Sequence, residues 1–413
     1  MKKLNSIDNK YLILADQILV SITAVLTNIF IAKFIGLQAY GQFSSVILVQ
    51  LFLLGITQAF FGSTYVVLYH NNNINEKAKY TSSLLVLLFI YLLLLSIPIS
   101  IYLSFTKFEL SQIFFIYSSV ILFFIQDFLR RVLITQQKIK ATILSDAITS
   151  FLQITFLLIF FYFKILNTTT IWLIIAVTFL PSIAYAILKL KPVKTDLQNI
   201  NQTFQLHKKH SSWLAASAMV QWISGNAVVY MSGWWISMES LAALRIIQYL
   251  FGFVNVILQA YENYMLPYLA KNKITEIRLV VKLIINLMIY IIPLLIIVVV
   301  CSILFSEIIF NNAEVSFSSV IIGYSILYII IASGYPVRIL MRVNLLNNTL
   351  FYTNLVSACI TITTAKFLLT QFALNGVIIN LMIAQIIVIS ISYFKLKKTQ
   401  ETNSLKPYQH TIQ

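Results

Sequence analysis

Residues 279–305 have the sequence LVVKLIINLMIYIIPLLIIVVVCSILF, in which Lys282 is the one charged side chain. A helix of about 20 mainly apolar residues is long enough to cross the hydrocarbon core of a bilayer. An open sheet would leave backbone N–H and C=O groups unpaired in lipid, and a barrel strand would alternate apolar and polar residues. This stretch therefore predicts a membrane-spanning helix.

Apolar runs of this kind recur along the whole chain. The sequence contains twelve of them, with approximate boundaries 11–35, 41–69, 81–105, 111–134, 141–163, 169–190, 211–235, 241–266, 279–305, 316–335, 347–369 and 373–395. Hydrophobic residues make up 59% of the 413 residues and charged residues only 10%, whereas soluble domains carry about 25% charged residues. We therefore predict an all-α polytopic membrane protein of about twelve transmembrane helices.

Basic residues gather at alternate ends of these helices. If the N-terminus is cytoplasmic, the outer ends hold only Lys33, Lys107, Lys164 and Lys366, and nearly all other basic residues lie at inner ends. Cytoplasmic loops carry such an excess of Lys and Arg, so both termini are predicted to be cytoplasmic. The net charge of +16 is then explained by topology and by anionic lipids, without nucleic acid as a partner.

The longest hydrophilic stretch divides the predicted helices six and six. We predict an N-terminal bundle over 1–190, a cytoplasmic linker over 191–210, a C-terminal bundle over 211–398 and a cytoplasmic tail over 399–413. Residues 34–41 and 235–242 hold the same position in the two halves. Because a six-helix repeat keeps its orientation, the bundles would be related by a pseudo-twofold axis along the membrane normal.

The sequence lacks the motifs of common enzymes and cofactor sites. No glycine is followed by lysine, so the P-loop is absent, and neither GxSxG nor HExxH occurs. Cys301 and Cys359 lie in apolar runs, and the four histidines, including His207, fall in predicted loops or the tail. We therefore expect a non-enzyme without a cofactor, a metal or a disulfide.

Polar side chains within the apolar runs are the candidate functional residues, because they are costly in lipid and often face a cavity. They are Asp16, Asn28, Lys33, Asp127, Arg130, Asp146, Gln221, Asn226, Arg245 and Lys366. Simpler interpretations stay open: Arg130 as an inner-face anchor, Asp16 and Asp146 as solvated residues near the inner interface, and Lys33 and Lys366 as residues that extend to the outer interface. Arg245 is flanked by apolar residues, which favours a cavity role.

The segment Ala32-Lys33-Phe34-Ile35-Gly36-Leu37-Gln38-Ala39-Tyr40-Gly41 resembles a hallmark of polysaccharide-biosynthesis transporters, roughly Ala-Arg-x-Leu-Gly-Pro-x-x-Tyr/Phe-Gly. Lys33 stands where Arg is usual, and Leu37 where Pro is usual. The stretch 223–245 looks like the second-half counterpart, with Asn226 where Asp is frequent. The resemblance is to the O-antigen (Wzx-type) flippases of the multidrug/oligosaccharidyl-lipid/polysaccharide (MOP) exporter superfamily.

The resemblance implies a flippase of the bacterial cytoplasmic (inner) membrane. It would move undecaprenyl-diphosphate-linked O-antigen or another surface-polysaccharide repeat unit by alternating access, with a polysaccharide polymerase and a chain-length regulator as candidate partners beside membrane lipids. The cationic cavity candidates are Arg245, Lys366, Lys33 and Arg130. The ion-coupling candidates are Asp16, Asp127 and Asp146, and the polar cavity candidates are Asn28, Asn226 and Gln221.

Two other functions remain open at this point. A cation-coupled multidrug antiporter of the same superfamily would favour acidic groups deep in the cavity. A membrane polysaccharide polymerase would typically carry a large basic outer loop, which this chain lacks, and it therefore ranks last.

Overall fold

The computed structural model describes residues 2–69, 76–106, 108–271, 276–310, 317–344 and 346–404. Lys107 and residues 405–413 of the predicted tail lie outside these ranges. The elements in chain order are α1 Lys2–Ile35, α2 Leu37–Thr57, a π-helical segment Gln58–Ser63, α3 Thr64–Tyr69, α4 Lys77–Ser104, α5 Leu110–Thr135, α6 Ile139–Tyr162, α7 Thr168–Leu190, α8 Leu197–Trp235, α9 Met238–Leu250, α10 Gly252–Lys271, α11 Leu279–Phe310, α12 Phe317–Val343 and α13 Asn347–Ser404.

The predicted all-α architecture is confirmed, and each of the twelve predicted segments falls on helical structure. Within the described ranges, nine helices are long and apolar enough to cross a membrane. The pair α9 and α10, which meets at a bend of 44°, makes a tenth candidate. The helix α8 is not among them, and its sequence carries polar residues such as Gln221, Ser224 and Asn226 among the apolar ones.

The long helix α13 contains two of the predicted segments. It breaks at Ala373, whose φ of 48° and ψ of −127° are not helical. A Cβ atom placed on Gly376 would lie 2.0 Å from the carbonyl oxygen of Leu368. The chain can turn this tightly because glycine has no side chain at the closest approach.

Many large apolar side chains remain on the surface of the helices. Phe89, Leu94, Ile289 and Ile296 are each about 60% exposed or slightly more. An exposed apolar surface of this extent is unusual for a soluble monomer. It suits contact with lipid tails, which agrees with the composition.

Two compact units make up the chain. Unit 1 comprises Met1–Ala39 and Val46–Met219, and unit 2 comprises Tyr40–Ser45 and Val220–Gln413. The predicted boundaries at 190 and 210 stay predictions, and within the predicted linker the helix α8 begins at Leu197.

In unit 1, α5 packs against α4, α6 and α7, and α1 packs against α6. A core cluster between α5 and α7 consists of Leu129, Leu133, Phe179, Ile183 and Ala186. These contacts bring side chains that are distant in sequence to the buried faces of α1, α5 and α6.

In unit 2, α12 packs against α10, α11 and α13. Its core cluster consists of Leu269, Val280, Leu283, Val337, Ile339, Leu340, Met341 and Leu396. The helix α12 is therefore surrounded on several sides, so that polar side chains on it lie mostly away from lipid.

Candidate functional site

A partly buried arginine in unit 1, 26% exposed, joins two aspartates from different helices. Arg130 of α5 donates from Nη2 to Oδ2 of Asp16 in α1 and from Nε to Oδ2 of Asp146 in α6, both at 2.5 Å. The Asp16 and Asp146 side chains are 2% and 3% exposed. Because Nε and Nη2 lie on one edge of the guanidinium, the two carboxylates are neighbours. We call Asp16, Arg130 and Asp146 the acidic triad.

The acidic triad carries one more negative than positive charge when both carboxylates are ionised. Buried charges are costly unless they are paired, and two adjacent carboxylates repel each other. Asp16 Oδ1 is buried without a hydrogen-bond partner, while Asp146 Oδ1 accepts from Gln126 Nε2 at 3.3 Å. The triad is therefore a site that can take up one additional positive charge, such as a proton.

Asp127 belongs to a different group in unit 1. Arg131 Nε donates to Asp127 Oδ2 at 3.1 Å, and Gln58 Nε2 lies 3.3 Å from both carboxylate oxygens. Gln58 opens the π-helical segment, and a Cβ on Gly62 in that segment would lie 2.6 Å from Cδ of Arg131. The pair Asp127–Arg131 is neutral, so it lacks the surplus negative charge of the acidic triad.

His207 is the buried polar residue of unit 1 that the sequence analysis missed. The prediction that it lies in a loop is wrong, because α8 already begins at Leu197. Its Nδ1 lies 2.7 Å from the carbonyl oxygen of Phe60 in the π-helical segment, and its Nε2 lies 2.6 Å from the hydroxyl of Tyr80. A carbonyl only accepts, so Nδ1 carries the proton and Nε2 accepts from Tyr80.

Burial determines the charge state of His207. Its side chain is fully buried, and this desolvation lowers its pKa from 6.5 to about 4. The imidazole is therefore neutral at neutral pH. A spacing of four residues between the buried Thr203, His207 and Ser211 is the helical pattern that could have identified it.

In unit 2, Arg245 of α9 is 6% exposed and is held only by neutral groups. Its Nη1 donates to Gln248 Oε1 at 2.8 Å and its Nη2 to the Tyr249 hydroxyl at 3.0 Å. Its guanidinium carbon lies 4.8 Å from the centre of the Tyr249 ring, a cation–π contact. Its Nε is buried without a hydrogen-bond partner.

The positive charge of Arg245 is not balanced by a carboxylate among the described residues. No carboxylate among the described residues forms an ion pair with it, and a guanidinium does not lose its proton in proteins. Glu239, which stands near it in sequence, is not its partner. The surroundings of Arg245 therefore suit an anion.

The Tyr40-Gly41 pair of the quoted sequence motif lies beside Arg245. Tyr40 is fully buried and close enough to Arg245 and Tyr249 to interact with them electrostatically. A Cβ on Gly41 would lie 2.0 Å from the carbonyl oxygen of Met238, the first residue of α9. Gly41 thus permits the close approach of backbones that puts Tyr40 next to the arginine.

A second arginine of unit 2, Arg338 of α12, has similar surroundings. Its Nη2 donates to Gln385 Oε1 at 2.7 Å, and its guanidinium carbon lies 5.4 Å from the centre of the Tyr335 ring. Its Nε is buried without a partner. The sequence analysis treated it as an inner-end topology charge, and only its position among apolar residues could have indicated otherwise.

No family model and no curated protein sequence matches this chain. The fold, in contrast, matches solved structures over nearly its whole length. An inward-facing multidrug resistance MATE family transporter of the MOP superfamily aligns with a TM-score of 0.75 at 9% identity, covering 94% of this chain and 96% of that one. The chain therefore shares the fold of this transporter.

Two further MOP-type structures support this result. The lipid II flippase MurJ, in an inward closed conformation, aligns with a TM-score of 0.69 at 16% identity over 93% of this chain and 87% of its own. The eukaryotic MATE transporter AtDTX14 aligns with a TM-score of 0.66 at 14% identity over 97% and 99%. The protein is thus a multi-pass membrane protein, and the identities are low enough that the likeness concerns the fold alone.

The remaining candidate residues have less distinctive surroundings in this fold. Lys33, Gln221 and Lys366 are exposed, and Asn226 is half-buried. Asn28 is buried and donates to the Ala24 carbonyl oxygen at 2.8 Å. The functional roles assigned to these residues stay predictions.

Proposed function

We propose that this protein is a flippase that moves a polyprenyl-diphosphate-linked oligosaccharide across the bacterial cytoplasmic membrane. The observation that carries the proposal is Arg245, a buried arginine whose hydrogen-bond partners are all neutral. A guanidinium binds phosphate oxygens with two parallel hydrogen bonds. A diphosphate head group offers phosphate oxygens to Arg245, whereas a cationic drug would be repelled by it.

The fold supports transport of such a cargo. One of the similar structures is named a lipid II flippase, and a lipid II flippase handles a lipid-linked substrate. Alternating access through rearrangement of the helices would expose the head group to each side in turn. The oligosaccharide would be an O-antigen or other surface-polysaccharide unit, and a polymerase with its chain-length regulator would use the product.

The acidic triad supplies a coupling site for this cycle. With Arg130 between them, Asp16 and Asp146 together accept one proton or a small cation, because a neutral site is cheaper to bury than a charged one. Uptake on one side and release on the other would link transport to an ion gradient.

The multidrug antiporter is the second candidate, and the buried carboxylates of the acidic triad favour it. Two of the reported structures are MATE transporters. In this chain, however, Arg130 already occupies the carboxylates, which leaves less negative charge for a cationic drug. Drug resistance conferred on a pump-deficient strain would support the antiporter and contradict the flippase.

Complementation of surface polysaccharide tests the flippase. In a strain that lacks the gene, the wild-type protein should restore surface polysaccharide, and Arg245→Gln should abolish it at unchanged protein level. Arg278→Gln, at an exposed arginine, is the matched control and should behave like wild type. Normal polysaccharide with Arg245→Gln would remove Arg245 from the site.

A further inference from the structure

One face of α12 carries a row of tyrosines and arginines. The row consists of Tyr324, Tyr328, Tyr335, Arg338 and Arg342. Successive members are separated by three, four or seven residues, which are the spacings of one helical face. At 1.5 Å per residue, Tyr324 and Arg338 are about 21 Å apart along the axis. The row therefore extends over most of the thickness of a bilayer.

The helix α12 packs against α9 and α10, and members of the row contact residues of α10 and of its junction with α9. Phe251 has its ring centre 5.9 Å from that of Tyr324 and 5.2 Å from that of Tyr328. Asn255 Nδ2 donates to the Tyr328 hydroxyl at 2.9 Å, and Glu262 of α10 pairs with Arg342. Polar and aromatic contacts thus hold both ends of the row, at Tyr324 and Tyr328 and again at Arg342.

Arg245 stands at one end of this row. Tyr324 is buried and interacts electrostatically with Arg245. In the predicted orientation α12 begins at the outer face, so Tyr324 and Arg245 belong to the outer half of unit 2.

Arg338 and Arg342 stand at the other, cytoplasmic end. The carboxylate of Glu262 forms an ion pair with Arg342 and interacts electrostatically with Arg338. Arg338 is held by the neutral Gln385 and Tyr335, in the way that Arg245 is held by the neutral Gln248 and Tyr249. Each end of the row therefore has one positive charge more than its carboxylates can balance.

We propose that Arg338, with Gln385 and Tyr335, forms a second anion-binding station for the diphosphate head group, on the cytoplasmic side of the Arg245 station. The identity of the anion rests on the proposed function. The head group would enter at Arg338, and Arg245 lies near the opposite, outer end of the same face of α12. Neutral amides fix both guanidinium groups without neutralising them, which leaves their charge available to phosphate oxygens.

Binding to the purified full-length protein in lipid nanodiscs tests this inference. The probe is farnesyl diphosphate, and farnesol is the control without a head group. Wild type and the control Arg278→Gln should bind two molecules of farnesyl diphosphate per chain, and farnesol should compete with neither. Arg338→Gln and Arg245→Gln should each remove one of the two sites, with a loss of affinity there of about tenfold or more.

Glu262→Gln should change the affinity for the probe in the opposite direction, and it leaves every arginine in place. It removes the negative charge beside Arg338, so the cytoplasmic-side site should bind the probe more tightly while the Arg245 site stays unchanged. The gain should shrink as salt is added, because it is electrostatic. Unchanged or weaker binding in Glu262→Gln would contradict the second station.

The outcomes separate this inference from the proposed function. A single wild-type site that only Arg245→Gln abolishes would overturn the second station and leave the flippase standing. Two sites with the expected variant pattern, together with wild-type protein that fails to restore surface polysaccharide, would support the station and overturn the flippase.

Discussion

The clusters of charged side chains in the two units are arranged in opposite ways. In unit 1, one arginine, Arg130, serves two carboxylates. In unit 2, one carboxylate, Glu262, stands beside two arginines, Arg338 and Arg342, and Arg245 has no carboxylate partner among the described residues. The acidic triad of unit 1 is therefore one positive charge short, whereas the arginines of unit 2 have positive charge to spare.

This difference shows that a buried arginine does not by itself identify an anion site. Arg130 and Arg245 are both arginines at membrane depth, and the sequence suggested the same cationic role for both. Arg130 has two charged acceptors, so its charge is already used, whereas Arg245 has only a glutamine and a tyrosine hydroxyl. The partners, which come from other helices or other turns, decide what the guanidinium can bind.

The largest expected effect tests the surplus negative charge of unit 1. Arg130→Gln leaves Asp16 and Asp146 buried and facing each other without a cation. Removing one partner of a buried ion pair typically costs about 3–5 kcal/mol, so the variant should lose that much stability. Thermal unfolding of the protein in detergent measures the loss.

A double variant identifies the cause of that loss. Asp16→Asn in the Arg130→Gln background removes one of the two facing charges and should recover part of the stability. Arg131→Gln removes an arginine whose single carboxylate partner, Asp127, is 17% exposed, so its cost should be smaller. Equal losses in Arg130→Gln and Arg131→Gln would show that the second carboxylate of the acidic triad adds nothing to the cost of removing its arginine.

The sequence predicted the helices better than it predicted these sites. Apolar runs define the spans because lipid requires them, and Asp16, Arg130 and Asp146 were each recognisable as polar groups in such runs. Their meeting depends on how α1, α5 and α6 pack, which no local pattern contains. Arg338 was not predicted as a site residue for another reason. It lies near Arg342 at a helix end, where basic residues usually mark the cytoplasmic side.

His207 should make the stability of the protein depend on pH, independently of the acidic triad. The unfolded chain takes up a proton near pH 6.5, whereas folded His207 does so only near pH 4, because burial lowers its pKa. Between these values the unfolded state binds more protons, so stability is full above pH 6.5 and falls as the pH drops toward 4. The loss should reach at most about 3 kcal/mol.

The measurement for His207 is the melting temperature at several pH values from 7.5 to about 4.5. His207→Gln cannot titrate, so its melting temperature should fall less over this range than that of wild type. The exposed His210 provides the control His210→Gln, which should follow wild type. Identical slopes for wild type and His207→Gln would mean that His207 is not the neutral buried group described above.

The smallest expected effect is that of Gly41→Ala, a substitution in unit 2 that removes no charged group. A Cβ added in Gly41→Ala would lie 2.0 Å from the Met238 carbonyl oxygen, so α2 must shift away from the start of α9. Such overpacking costs about 1–3 kcal/mol. Since Tyr40 would move with Gly41, the hydroxyl beside Arg245 should be displaced, and surface polysaccharide should fall although every arginine remains.

Gly225 is the matched control for this change. It lies inside α8, and a Cβ there would meet nothing within 4 Å. Gly225→Ala should be neutral or slightly stabilising, because alanine favours a helix over glycine by up to about 1 kcal/mol. A loss of activity in Gly41→Ala would show that the close contact between α2 and α9 positions Arg245. Full activity would contradict this and would show that the anion site depends on the charge of the arginines alone.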